Sequence, residues 1–109
     1  MRTAREIIEL VIESIEMDIK HAQGIIEYSD GEIKHLNEQK ASCYERTNSY
    51  TVADATYDGP IGRYHGIIFD NKERIDALNR RLDYWKSLDE ICAEEEKLAE
   101  AEEEDEEDD

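Results

Sequence analysis

The sequence predicts an all-α protein, an antiparallel two-helix hairpin similar to a coiled coil. Two long segments with helical periodicity flank one stretch of turn-forming residues, 47–62, which holds the only proline of the 109-residue chain. The segment before this stretch carries a nearly continuous heptad pattern, and the segment after it carries a shorter one. We therefore expect one domain over residues 1–99, with helices at about 3–46 and 63–99 and a tip loop between them.

The first helix has the clearest periodicity. Thr3 and Glu6 form a capping box at its start. Alternating steps of four and three residues from Ile8 to Cys43 select eleven positions, nine of which are apolar or cysteine. Ser29 and Lys40 are the two breaks in this seam. The spacing places a continuous apolar stripe on one face of a helix.

A turn signal interrupts this helix at Asp30-Gly31. Ser29 and Glu32 would cap a new helix if the chain broke there. The heptad phase nevertheless continues from Ile26 to Ile33, which favours one helix with a kink near Gly31. The alternative, a break at residues 29–31, stays open.

The second helix has two starts that are compatible with the sequence. Apolar residues follow helical spacing from Tyr64 to Trp85, which indicates a start near residue 63. If the helix begins at Asp70 instead, residues 50–57 and 63–69 form a β-hairpin around Asp58-Gly59, because they are rich in strand-forming residues. That alternative would make the protein α+β.

A turn near Asp54 sets which residues face each other. Ala22 then meets Trp85, and the isoleucine-rich start of the first helix lies beside the acidic end of the second. Leaving large aliphatic side chains exposed costs about 1.5–3 kcal/mol each. The sequence therefore predicts a homodimer with a four-helix core. Its interface would consist of Ile8, Val11, Ile12, Ile15 and Ile19.

Negative charge is concentrated at the C-terminal end. Residues 94–109 hold twelve acidic residues and one lysine, a net charge of −11 out of −17 for the chain. Residues 100–109 are predicted to be disordered, because like charges repel and oppose the helix dipole. The same charge disfavours binding of nucleic acid or of anionic membranes. With no long apolar segment and acids within the first apolar run, the expected location is the cytoplasm.

Candidate catalytic and metal-binding residues are few. Asp18 with His21 and Glu32 with His35 are acid-x-x-His pairs, a spacing that di-iron helical bundles use. Both histidines lie two positions away from the seam and should face solvent. Two cysteines are too few for a disulfide scaffold, and we expect both to be small buried hydrophobes. The sequence thus predicts a non-enzymatic protein without metal or cofactor.

Two functional hypotheses remain. The first is an acidic interaction module that binds and inhibits a basic, nucleic-acid-handling protein by imitating the charge of a nucleic-acid backbone. In size, charge and helicity such a protein resembles the small acidic inhibitors that phages encode, although no motif is specific to one family. The second is a coiled-coil scaffold or adaptor that acts through its apolar N-terminal face.

The first hypothesis names two contact regions. One is the group of tyrosines at the tip, which are side chains favoured at interfaces: Tyr44, Tyr50, Tyr57 and Tyr64. The other is the acidic group Glu94, Glu95, Glu96, Glu100, Glu102, Glu103, Glu104 and Asp105.

Overall fold

The computed structural model describes the backbone of residues 2–107 and the side chains of residues 2–103. It has two helices, α1 (Ala4–Thr47) and α2 (Tyr50–Glu107), joined by Asn48 and Ser49. The helices pack against each other, and the described residues include no β-strand, so the predicted all-α hairpin is confirmed. Over its described residues, neither helix has a stretch apolar enough to cross a bilayer.

The first helix is continuous through Asp30-Gly31. The Thr3 hydroxyl accepts a hydrogen bond from the Glu6 N–H at 3.2 Å, as in the predicted cap. A turn at Gly31 would shift the heptad phase between Ile26 and Ile33, whereas a continuous helix preserves it. Of the two alternatives for this segment, the single helix is therefore the one observed.

The connection between the helices is much shorter than predicted. Instead of a loop over 47–62 or a β-hairpin over 50–69, two residues reverse the chain. Asn48 adopts a φ of 49°, a left-handed conformation that asparagine tolerates better than most residues. Its N–H donates to the Tyr44 carbonyl at 2.6 Å, and the Ser49 hydroxyl caps α2 by accepting from the Val52 N–H at 3.3 Å.

The error in the predicted position of the turn has a clear cause. Pro60 lies inside α2, and the glycines on either side of it are helical as well. A proline inside a helix costs about 3 kcal/mol and each glycine about 1 kcal/mol relative to alanine. Local propensity therefore marks this stretch as the turn, whereas the tertiary structure places the turn at the asparagine–serine pair that caps both helices.

The chain divides into two compact units, which are described separately. The central unit, Ile19–Asp76, contains the connection between the helices. Its buried residues are Ala22, Ser29, Cys43, Ala53 and Ile68, and all of them except Ile68 are small. Ser29 is 1% exposed, so it belongs to the seam and does not interrupt it. Its hydroxyl has no hydrogen-bond partner among the described atoms.

The terminal unit consists of Met1–Asp18 and Ala77–Asp109. Its buried residues are Ile8, Ile15, Leu78 and Leu82. Arg5 pairs here with Asp89, whereas a turn at Asp54 would have placed residue 103 opposite it. The earlier turn thus places the buried residues Ile8 and Ile15 in one unit with Leu78 and Leu82 of α2. Ile8 and Ile15, predicted to lie in a dimer interface, are buried within one chain.

The acidic end of the chain is helical where the structure describes it. α2 continues to Glu107, so residues 100–107, predicted to be disordered, belong to the helix. Asp108 and Asp109 lie outside the described residues. Glutamate and alanine have high helix propensity, and like-charge pairs one turn apart oppose it by only about 0.2–0.5 kcal/mol each.

Replacing Gly62 by alanine tests the position of the turn. A Cβ at Gly62 would meet no atom within 4 Å, and none of the described glycines has a positive φ. We expect Gly62→Ala to raise the free energy of unfolding by about 0.5–1 kcal/mol, because alanine loses less entropy in a helix. Urea denaturation followed by circular dichroism measures this. Gly24→Ala in α1 should act in the same direction, whereas a destabilised Gly62→Ala protein would indicate a turn at residues 59–62.

Candidate interaction sites

The predicted tip tyrosines separate into two groups in the central unit. Tyr44, at the end of α1, stacks on Tyr50, at the start of α2, with ring centroids 3.9 Å apart and an angle of 17° between the planes. Tyr64 instead packs edge-on against Tyr28, with centroids 6.4 Å apart. The negative charge of Glu32 raises the pKa of Tyr28.

Only the first pair lies at the tip. Fourteen residues of helix, about 21 Å, separate Tyr64 from Tyr50. Tyr57 lies between them and is half-buried. The four tyrosines were expected to cluster because they lie in, or at the edges of, one predicted loop, whereas α2 spreads Tyr50, Tyr57 and Tyr64 along its length. Tyr44 and Tyr50 are the two that can act together.

An ion-pair cluster that was not predicted lies next to this stack. Lys40 Nζ lies 2.7 Å from Asp58 Oδ1 and 3.0 Å from Asp54 Oδ1. Hydrogen bonds to Asp58 and Asp54 raise the pKa of Lys40 above its ordinary value, so it is charged at neutral pH. Lys40 interrupts the apolar seam about two turns before the chain reverses. A lysine at a seam position is the signal that could have indicated an acidic partner on the opposite helix.

Arg5 makes the corresponding contacts in the terminal unit. Its guanidinium lies 3.3 Å from Asp89 Oδ1 and 3.2 Å from Glu96 Oε2. The hydrogen bond to Asp89 raises the pKa of Arg5, and the bond to Glu96 adds to that effect. A cavity of about 280 Å³ opens beside these residues, lined by Thr3, Ala4, Arg5, Cys92, Glu95, Glu96 and Ala99. The start of α1 therefore lies against residues 92–99 of α2.

The predicted acidic residues are all exposed where their side chains are described. These are Glu94, Glu95, Glu96, Glu100, Glu102 and Glu103. Glu96 is partly neutralised by Arg5. At 100° per residue the six carboxylates project around most of the helix circumference and form no single stripe. Glu104 and Asp105 belong to α2, but their side chains lie outside those described.

Large apolar side chains remain exposed in the terminal unit. On α1 they are Ile7, Leu10 and Met17, and on α2 they are Tyr84, Ile91 and Leu98 at intervals of seven residues. We call these six residues the apolar rows. Of the predicted dimer interface, Val11, Ile12 and Ile19 are half-buried. The exposed rows thus lie beside the predicted residues, on positions that the seam does not use.

The remaining candidate site residues are two histidines and two cysteines. His21 and His35 are both exposed. Cys43 is buried, Cys92 is half-buried, and both are free thiols. Within residues 2–103 no group of three histidine, cysteine, aspartate or glutamate side chains is arranged to hold a metal ion.

Comparison with known proteins identifies no relative of the chain: no protein-family model, curated protein or solved structure matches it. Three surfaces of the chain differ in chemistry, namely the acidic end of α2, the apolar rows and the tyrosine stack with its ion-pair cluster.

Replacing Lys40 by methionine tests the ion-pair cluster. The pKa of Lys40 is raised in the folded state. The contribution of Lys40 to stability is therefore complete below its ordinary pKa of 10.5 and disappears as the pH rises through its folded-state pKa. We expect Lys40→Met to lower the melting temperature at pH 7 and to match the wild type above that pKa. Thermal melts between pH 7 and 11.5 measure this. Exposed Lys34→Met is the control, and an equal loss from both variants at pH 7 would contradict the pairing.

Proposed function

We propose that this chain is a non-enzymatic interaction module that binds and inhibits a basic, nucleic-acid-handling protein. The observation that carries this proposal is that residues 94–107, here called the acidic extension, belong to one continuous helix, and that the carboxylates of its described side chains, up to Glu103, are exposed. Such a partner implies the cytoplasm as the place of action.

The charge density of the acidic extension supports a nucleic-acid-like role. Ten of its fourteen residues are acidic. Fourteen helical residues span about 21 Å, which gives roughly one negative charge per 2 Å. Double-stranded DNA carries about one per 1.7 Å of its axis. A groove lined with lysine and arginine for DNA would thus meet a similar linear charge on this helix.

Electrostatic repulsion within the acidic extension also favours its binding to a basic partner. The extension places carboxylates at the C-terminal end of a helix, where the dipole disfavours them, and sets them one turn apart from each other. A basic surface would remove both penalties on binding. The net charge of −17 would in addition accelerate the encounter with such a surface at low salt.

Neutralising the extension tests the proposal. The triple variant Glu100→Gln, Glu102→Gln and Glu103→Gln keeps the helix and removes three exposed charges. In affinity capture from the source cell, we expect the wild type to retain a nucleic-acid-binding protein that added DNA or high salt releases, and the variant to retain about tenfold less.

The matched control is the triple variant Glu27→Gln, Glu38→Gln and Glu45→Gln, which removes the same charge from exposed positions of α1. It should leave capture nearly unchanged. Equal losses from both triple variants would mean that capture depends on net charge alone and not on the acidic extension. Capture that neither DNA nor salt disturbs would contradict the proposal.

A second candidate function is assembly through the apolar rows, as a homodimer or as a scaffold. It is favoured by the exposure of large apolar side chains in the single chain, with Met17 72% and Leu98 65% exposed. Burying such side chains yields about 1.5–3 kcal/mol each when they are fully covered. A second copy would cover them and give the four-helix core expected from the sequence.

The mass of the protein in solution tests assembly. We expect a dimer by size-exclusion chromatography with light scattering at micromolar concentration. Leu10→Asp and Met17→Asp should give a monomer with unchanged helicity, because both side chains are exposed in the single chain. Gln23→Asp, at another exposed position of α1, should remain dimeric. A monomeric wild type would rule out this candidate.

A further inference from the structure

The tyrosine stack at the tip borders a cavity to which no role has yet been given. Its volume is about 250 Å³, and it is lined by Asn37, Lys40, Ala41, Tyr44, Tyr50 and Ala53. The floor comes from both helices next to the chain reversal, and the two-residue connection holds those helix ends together. The cavity is open on one side, so a side chain from another molecule can reach it.

The aromatic wall of this cavity has a free surface. Tyr44 is half-buried and covers one side of the Tyr50 ring, while Tyr50 remains 67% exposed. A stacked tyrosine pair is a rigid platform, because each ring restricts the rotation of the other. The face of such a ring attracts cations, and most strongly a planar cation that can lie parallel to it.

Among the residues that line the cavity only Lys40 is charged, and the two aspartates that pair with it make the net charge beside the platform negative. Tyr50, Asp54 and Asp58 follow one another at intervals of four residues, so they lie along one face of α2. Lys40 offers one positive charge to the two carboxylates, which leaves one negative charge uncompensated. Both carboxylate side chains are about half exposed, at 51% for Asp54 and 56% for Asp58. Each has a second oxygen that can accept a hydrogen bond from another donor.

We propose that the exposed face of Tyr50, at the edge of this cavity, binds an arginine side chain of a basic protein, with its guanidinium stacked on the ring and hydrogen-bonded to Asp54, one turn along α2. This inference rests on the proposed function, since it names the residue by which the tip recognises the same partner. Lysine fits less well, because its ammonium is strongly hydrated and has no plane to stack. A neutral aromatic side chain would leave uncompensated the one negative charge that Lys40 does not balance.

Two labelled peptides of equal charge test the inference. Each carries six basic residues separated by glycine and serine, all arginine in one peptide and all lysine in the other. We expect the wild type to bind the arginine peptide about threefold to tenfold more tightly. Tyr50→Ala should remove that preference by weakening the arginine peptide alone. Tyr50→Leu, which keeps apolar bulk without a ring, should do the same and covers the case in which the alanine variant is poorly folded.

Two controls separate this inference from the proposed function. Phe69→Ala removes a comparably exposed aromatic ring, 61% exposed, from another position of α2 and should leave the arginine preference intact. The triple variant Glu100→Gln, Glu102→Gln and Glu103→Gln should weaken both peptides equally. No arginine preference in the wild type, or equal weakening of both peptides by the Tyr50 variants, would overturn the arginine site. Unchanged binding of both peptides by the triple variant would instead count against the acidic extension.

Discussion

The two-residue chain reversal at Asn48 and Ser49 is the constraint on which the rest of the structure depends. The left-handed conformation of Asn48 ends α1, and the Ser49 hydroxyl begins α2. Because helices on either side of a short connection must run back along each other, the position of this reversal decides the partner of every later residue. In the central unit it brings Lys40 to Asp54 and Asp58, and it stacks Tyr44 on Tyr50.

The position of the chain reversal also determines which residues form the surfaces proposed for function. In the terminal unit Ile8 and Ile15 are buried within one chain, so these two side chains do not require a second copy to cover them. The apolar rows, which lie outside the seam, now favour assembly. Residues 92–99, which include the first part of the acidic extension, lie against the start of α1, and the helix continues beyond them to Glu107. One displaced turn therefore changes which residues are available to partners.

Much of the fold follows from periodicity, and the errors follow from local propensity. The heptad seam from Ile8 to Cys43 predicted α1 nearly to the residue, because burial of one stripe outweighs a single Asp-Gly signal. The stretch around Pro60 was assigned to a loop because proline and glycine are poor helix formers, yet it is helical. Among the site residues, the exposed glutamates could be predicted from composition alone. Arg5 and Lys40 could not be paired without the register, and the four tyrosines could not be separated into two groups.

By itself the sequence determined that the chain is helical, that one face of α1 is apolar, and that negative charge gathers at the end of α2. These properties depend on the identity and spacing of neighbouring residues, which the sequence states directly. Only the tertiary structure decided where the chain reverses, and hence that Ser29 is buried, that Lys40 holds two aspartates, and that a tyrosine stack borders a cavity. Those contacts join residues on different helices, and a turn displaced by a few residues replaces all of them.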